Sequence, residues 1–149
     1  MKIAIGSDHG GIELKEAIKT FLKENDYEFK DFGANSTESC DYPDYALPVA
    51  EAVAAKEFEL GILICGTGIG IGIAANKVPG IRAALCSDTF SAHATREHNN
   101  ANILTLGQRV VGQGLALDIV KTFLTSKFEG DRHQNRIDKI SAIEKKYNK

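Results

Sequence analysis

The sequence predicts a three-layer α/β/α sandwich built on a doubly wound, five-stranded parallel sheet. Three observations point there. Short apolar runs alternate with helix-patterned segments along all 149 residues, the signature of strand–helix units. The run Leu60–Cys65 (LGILIC) is apolar throughout, as a strand covered on both faces requires. Glycines such as Gly33, Gly66 and Gly107 directly follow these runs, where a strand must break and turn back. Right-handed crossovers then place helices on both faces.

The elements follow in order. Lys2–Ser7 is a β-branched strand, and Ile12, Leu14, Ala17, Ile18, Phe21 and Leu22 then recur at helical spacing. Tyr27–Phe32 reads as a second strand, followed by a loop and an Ala-rich helix over Tyr45–Phe58. After Leu60–Cys65 comes the glycine loop 66–70 and an apolar helix, roughly Ile71–Asn76. Pro79-Gly80 marks a turn. Ile81–Leu85 and Asn102–Leu106 are the fourth and fifth strands, with a helix over Asp88–Glu97 between them. Helices over Gly112–Leu124 and from an Asp131 N-cap to Tyr147 complete the chain. The pattern is Rossmann-like or flavodoxin-like and reads as one domain over residues 1–149.

Composition narrows the function. Eighteen Lys+Arg against 20 Asp+Glu leave a net charge of -2, which offers no electrostatic footprint for nucleic acid or an anionic membrane. No segment approaches the ~18 apolar residues of a membrane span. The N-terminus has no apolar stretch of signal length. Three cysteines, Cys40, Cys65 and Cys86, in a chain this long suggest free thiols in a reducing cytoplasm.

Ligands of open α/β sheets bind beyond the carboxyl ends of the strands, so the search narrows to residues just after Ile5, Leu63, Leu85 and Leu106. The segment Cys65–Gly70 is the most informative. Gly66, Gly68, Gly70 and Gly72 alternate where a buried strand becomes a helix, letting backbone N–H groups approach a ligand. Ile71 and Ile73 break the dinucleotide fingerprint, and the P-loop pattern is missing. The loop reads as a cradle for a small oxyanion. Cys65, just ahead of that helix, is a candidate base or nucleophile, because amides there stabilise a thiolate. Cys86 also ends a strand but has no glycine cradle, and it is read with Cys40 as structural.

Other residues admit two readings each. Asp8-His9 is either a hydroxyl-binding pair or a helix cap beside a solvated histidine. His98 is a general acid or a partner of the helix C-terminus. Arg132 and Arg136 share a helix face, either toward an anion or toward water, and Arg109 follows the fifth strand. His9, His98 and His133 are too dispersed in sequence to imply a metal, so no metal is expected.

Taken together, SDHGG at 7–11, DYPDYA at 41–46, CGTGIG at 65–70, AANKVPGIRAA at 74–84, EHNNAN at 97–102 and LGQRVVG at 106–112 resemble the type B ribose-5-phosphate isomerases, which group with the allose-6-phosphate and galactose-6-phosphate isomerases. The resemblance spans nearly the whole chain. It implies aldose–ketose isomerisation of a sugar phosphate through a cis-enediolate, without cofactor or metal. Carried over by position, Cys65 is the base between C1 and C2. Thr67 and the backbone of Gly66, Gly68, Ile69 and Gly70 hold the enediolate. Asp8, His9 and Tyr42 contact the sugar, His98 opens the furanose ring, Asn99 holds substrate oxygens, and Arg109, Arg132 and Arg136 surround the phosphate. Some relatives use a glutamate near Ile73 as base. This chain has no acidic residue between Gly66 and Val78 and matches the cysteine subgroup. The resemblance also implies a homodimer or dimer of dimers with interfacial active sites. Rival readings are a six-carbon sugar-phosphate isomerase, a non-catalytic sugar-phosphate-binding domain and a thiol redox protein.

Overall fold

The computed structural model describes residues 1–148. Five strands, β1 (Lys2–Ser7), β2 (Glu28–Asp31), β3 (Leu60–Cys65), β4 (Ala83–Leu85) and β5 (Ile103–Gly107), form one sheet in the order β2-β1-β3-β5-β4. Every pairing is parallel. The α-helices are α1 (Ile12–Glu24), α2 (Pro43–Ala54), α3 (Ile69–Ala75), α4 (Thr89–Asn99), α5 (Gln113–Thr125) and α6 (Arg132–Tyr147), and a short 3-10 turn, His9–Gly11, precedes α1.

Strand periodicity divides the core in two. Ile3, Ile5, Ile62, Ile64, Leu104 and Leu106 pack with Leu14, Ile18, Leu22, Ile119 and Phe123 of α1 and α5. The alternate positions Ala4, Leu63, Cys65 and Ile103 pack with Val49 and Val53 of α2 and Ile71 and Ala75 of α3. The strand order explains this division. Moving from β1 to β2 and from β4 to β5 steps one way across the sheet, while β2 to β3 and β3 to β4 step the other way. A right-handed crossover changes face whenever the step reverses. Helices α1, α4 and α5 therefore share one face, and α2 and α3 the other. β1 and β3 lie side by side where the step direction reverses, which is where such sheets open a crevice.

The outer elements depart from the sequence reading. β4 has three residues rather than the expected Ile81–Leu85, because Ile81 N donates to Val78 O in a turn and Arg82 N to Asn102 Oδ1. A turn carbonyl and a side chain occupy those donors in place of a neighbouring strand. α2 begins at Pro43, where a missing N–H costs nothing, and ends at Ala54, four residues short of the expected Phe58. Asp131 precedes α6 but makes no side-chain cap; its φ of 52° turns the chain instead. Among the described residues no helix is long and apolar enough to cross a membrane.

Candidate functional site

β1, β3 and β5 deliver three loops to one edge of the sheet. Asp8 is buried and accepts from Gly10 N at 2.9 Å, so the capping reading of that residue is realised. His9 Nδ1 accepts from Cys40 N at 3.2 Å. An accepting Nδ1 carries no proton, so in the neutral ring the proton is on Nε2. Cys40 is thereby tied to the candidate site through its backbone.

The Cys65 thiol is buried, and its Sγ accepts from Gly68 N at 3.1 Å. Gly68 has a φ of 79°, and a Cβ there would lie 2.7 Å from the Leu106 carbonyl carbon. Only glycine tolerates both that backbone and that approach. The loop is also held from β5: Thr105 Oγ1 donates to Gly68 O at 2.8 Å. Thr67 is exposed, and its Oγ1 accepts from Ile69 N at 3.2 Å, which leaves the hydroxyl proton to point elsewhere. Tyr42 lies over Gly70, where a Cβ would sit 2.6 Å from Cζ of its ring. Arg109 follows β5, with its N–H on Gly66 O at 3.0 Å. Asp8, His9, Tyr42, Cys65, Gly66, Thr67, Gly68, Ile69, Gly70 and Arg109 thus gather at the carboxyl edge.

The remaining sequence candidates do not join them. α4 runs back from the carboxyl end of β4, so His98 and Asn99 stand at the opposite, amino edge. Asn99 O there accepts from Arg82 Nε at 3.1 Å, close to the start of the strands. The α6 helix begins at that edge and carries Arg132 and Arg136, both exposed. Strands of this length put about 16–20 Å between the two edges. Within one chain, His98, Asn99, Arg132 and Arg136 therefore stand away from the strand ends to which the sequence search narrowed. The dispersal of the histidines is also corrected: His98 and His133 stack with ring centroids 4.4 Å apart, because α4 and α6 pack across the intervening 34 residues.

The two buried cysteines differ in their surroundings, a glycine loop following Cys65 alone. Burial, helped by Asp88, pushes the Cys86 thiol up to about 11, and no glycine loop follows it.

Sequence reasoning missed three residues. Thr105 was the detectable one, a lone hydroxyl inside the buried run ILTLG. Gln108, which accepts from Leu14 N at 2.9 Å, caps the start of α1 from another loop. Lys15 is fully buried and pairs with Asp31 at 2.9 Å, tying α1 to the end of β2. Burial pushes the Asp31 carboxyl up, but Lys15, Lys19 and Gly33 N–H together hold it below the usual carboxylate range. Nothing local in the sequence distinguishes Lys15 from a solvated helix lysine.

Fold and loops together define a doubly wound α/β protein that presents a thiol and a glycine-built loop at its carboxyl edge. Comparison with known proteins narrows this. Residues 3–140 match the family described as Ribose/Galactose Isomerase. Ribose-5-phosphate isomerase B of Escherichia coli is 52% identical over 147 residues, covering 99% of each chain. The solved ribose-5-phosphate isomerase B of Clostridium thermocellum superposes with a TM-score of 0.98 at 61% identity, covering 99% of this chain and 100% of that one. The Mycoplasma genitalium enzyme, solved with bound ribulose-5-phosphate, gives 0.93 at 46% identity, covering 97% and 96%. The chain belongs to the Ribose/Galactose Isomerase family and is an isomerase.

Proposed function

We propose that the chain interconverts ribose 5-phosphate and ribulose 5-phosphate through a cis-enediolate, with residues 1–149 acting as one unit. The observation that carries this reading is the Cys65 Sγ at the end of β3 with Gly68 N–H directed onto it. A hydrogen next to a carbonyl is a weak acid, so its removal needs a base beside groups that stabilise the oxyanion as it forms. Cys65 moves the proton between C1 and C2. Thr67 and the loop Gly66–Gly70 hold the enediolate, and no cofactor enters the reaction. Asp8, His9 and Tyr42 contact the sugar. Arg109, Arg132 and Arg136 take the phosphate, whose binding energy orients the reacting end.

Two half-sites at opposite edges of one sheet make sense in an assembly. In this reading a second copy brings His98, Asn99, Arg132 and Arg136 to the Cys65 edge, in a homodimer or dimer of dimers. Support comes from Ile69, Ile73 and Leu85, large apolar side chains exposed around the glycine loop. Such a patch favours burial against a partner. His98 then protonates the ring oxygen as the furanose opens, and Asn99 holds substrate oxygens. The three cysteines are unpaired, in keeping with a cytoplasmic setting.

The test is to incubate purified protein separately with ribose 5-phosphate and allose 6-phosphate and compare kcat/KM for ketose formation. A clear preference for ribose 5-phosphate is expected. A preference for the six-carbon substrate would transfer the reading to that sugar, and no ketose from either would end it.

A further inference from the structure

A cluster at the amino edge has a member that the reading above does not use. Glu129 lies in the loop between α5 and α6, and its N–H donates to Glu97 O at 3.1 Å, pinning the loop to the last turn of α4. Gly130 (φ 73°) and Asp131 (φ 52°) are both left-handed and turn the chain sharply into α6. The Glu129 carboxylate consequently faces two imidazoles. Its Oε1 is 3.4 Å from His133 Nε2 and 3.8 Å from His98 Nε2. His133 is 5% exposed, and its Nε2 has no hydrogen-bond partner. The two rings are stacked, 16° from parallel.

This arrangement suits a proton-handling group better than a metal. The three ligand atoms lie within 4.8 Å of one another, but nearly parallel stacked rings aim their in-plane lone pairs side by side. A tetrahedral ion needs donors that converge on it from about 2 Å. A carboxylate beside two Nε2 atoms instead favours Nε2–H on each ring, since it only accepts. With Nε2 of His98 on the Glu129 side, 3.8 Å from the carboxylate, Nδ1 is the nitrogen left to exchange a proton with a substrate. Carboxylates orient imidazoles in this way in catalytic triads.

We propose that Glu129 is a positioning residue: with the buried His133 ring as a platform, it holds His98 in the orientation that leaves Nδ1 free to open the sugar ring. The proposal rests on the isomerase reading above. In that step the C1–O4 electron pair moves onto the ring oxygen, which takes the Nδ1 proton from the protonated His98. O1 gives its proton to water, and the O1–H electron pair becomes the second bond of the C1 carbonyl. His98 ends neutral, still holding Nε2–H toward Glu129.

Ribulose 5-phosphate separates the steps. Its 5-oxygen is esterified, so it cannot close a furanose ring. Exchange of its C1 hydrogen with D2O needs the base and the enediolate but no ring opening. In the variant Glu129→Gln, which keeps the side-chain length, kcat for ketose formation from ribose 5-phosphate should fall about 10–100-fold, the scale for residues that orient a functional group. C1 exchange, followed by proton NMR, should keep its wild-type rate. Nitrogen-15 spectra of labelled histidine should show His98 as the Nε2–H tautomer in the wild type and as a mixture in the variant. Equal loss of both activities, unchanged isomerisation or an unchanged His98 tautomer would each overturn the proposal. A wild-type protein that performs neither conversion nor exchange would instead overturn the isomerase reading itself.

Discussion

The two edges of this sheet are built differently. At the carboxyl edge the backbone makes the geometry: Gly68 N–H meets the Cys65 thiol, and Tyr42 lies against a glycine that has no room for a Cβ. At the amino edge side chains make it: His98, Glu129 and His133 meet because α4 and α6 pack together. Main-chain donors fixed by strand ends need no side-chain rotamer to be held. A cluster of side chains from two helices depends on how those helices dock. The sheet keeps the two apart within one chain, and the proposed reaction needs both.

The strongest break in this comparison is chemical. Cys65→Ser keeps the volume and substitutes a far weaker base, so kcat should fall at least about 10²-fold with little change in KM. His98→Asn should lower ketose formation while leaving C1 exchange of ribulose 5-phosphate intact. If each active site joins the two edges of different copies, mixing these two inactive variants should recover about a quarter of wild-type activity. Random pairing makes half the dimers mixed, each with one intact site of two. No recovery after subunit exchange, checked by native mass spectrometry, would place both residues in a site of one chain.

Phosphate binding sharpens the comparison. Arg136→Ala should weaken binding of ribose 5-phosphate by about 1.5–3 kcal/mol, the scale of a hydrogen bond to a charged group. Binding of unphosphorylated ribose should barely change. Equal weakening of both in calorimetric titrations would make the arginine structural.

The carboxyl edge should also be the less forgiving of small changes. Gly68→Ala forces a left-handed alanine into the Leu106 carbonyl, at a cost of about 1–3 kcal/mol for the backbone alone. Chemical denaturation should report that loss together with reduced turnover. An unaffected midpoint would mean that the loop can relax.

The smallest effect is expected at the end of β4. Cys86→Ser should leave kcat near wild type, because no main-chain donor is directed at that thiol in a glycine loop. Thiolate is the reactive form. With the Cys86 thiol pushed up to about 11, iodoacetamide should spare it in folded protein near pH 8, while Cys65 is alkylated and protected by substrate. Above the ordinary thiol value of ~8.5 the unfolded chain loses this proton and the folded chain keeps it. Burial of Cys86 therefore destabilises the fold progressively as pH rises through that window toward about 11. Peptide mapping after alkylation and denaturation curves across alkaline pH check both statements.

Much of the fold was legible in local pattern. LGILIC reads as a strand covered on both faces, and its six buried positions in a row match that reading. The helix after β4 and the glycine break at 66–70 stand within a residue or two of where the sequence put them. Boundaries failed where other groups completed the hydrogen bonding, as at β4, where Val78 O and the Asn102 side chain take donors that a longer strand would have used. Lys15 escaped notice because its burial depends on Asp31 and Ala34 O, neither of them a helix neighbour.

Local pattern is enough to specify the α/β class, the five strands and the loop that carries Cys65, because periodicity, β-branching and glycine act within a few residues. The strand order β2-β1-β3-β5-β4, the face each helix covers and the edge at which each candidate residue stands emerge only in the folded chain. These follow from which strand each crossover lands beside, a choice made by packing between segments distant in sequence. That is why ten candidate residues converge at one edge while His98, Asn99, Arg132 and Arg136 stand at the other, where α4 ends and α6 begins.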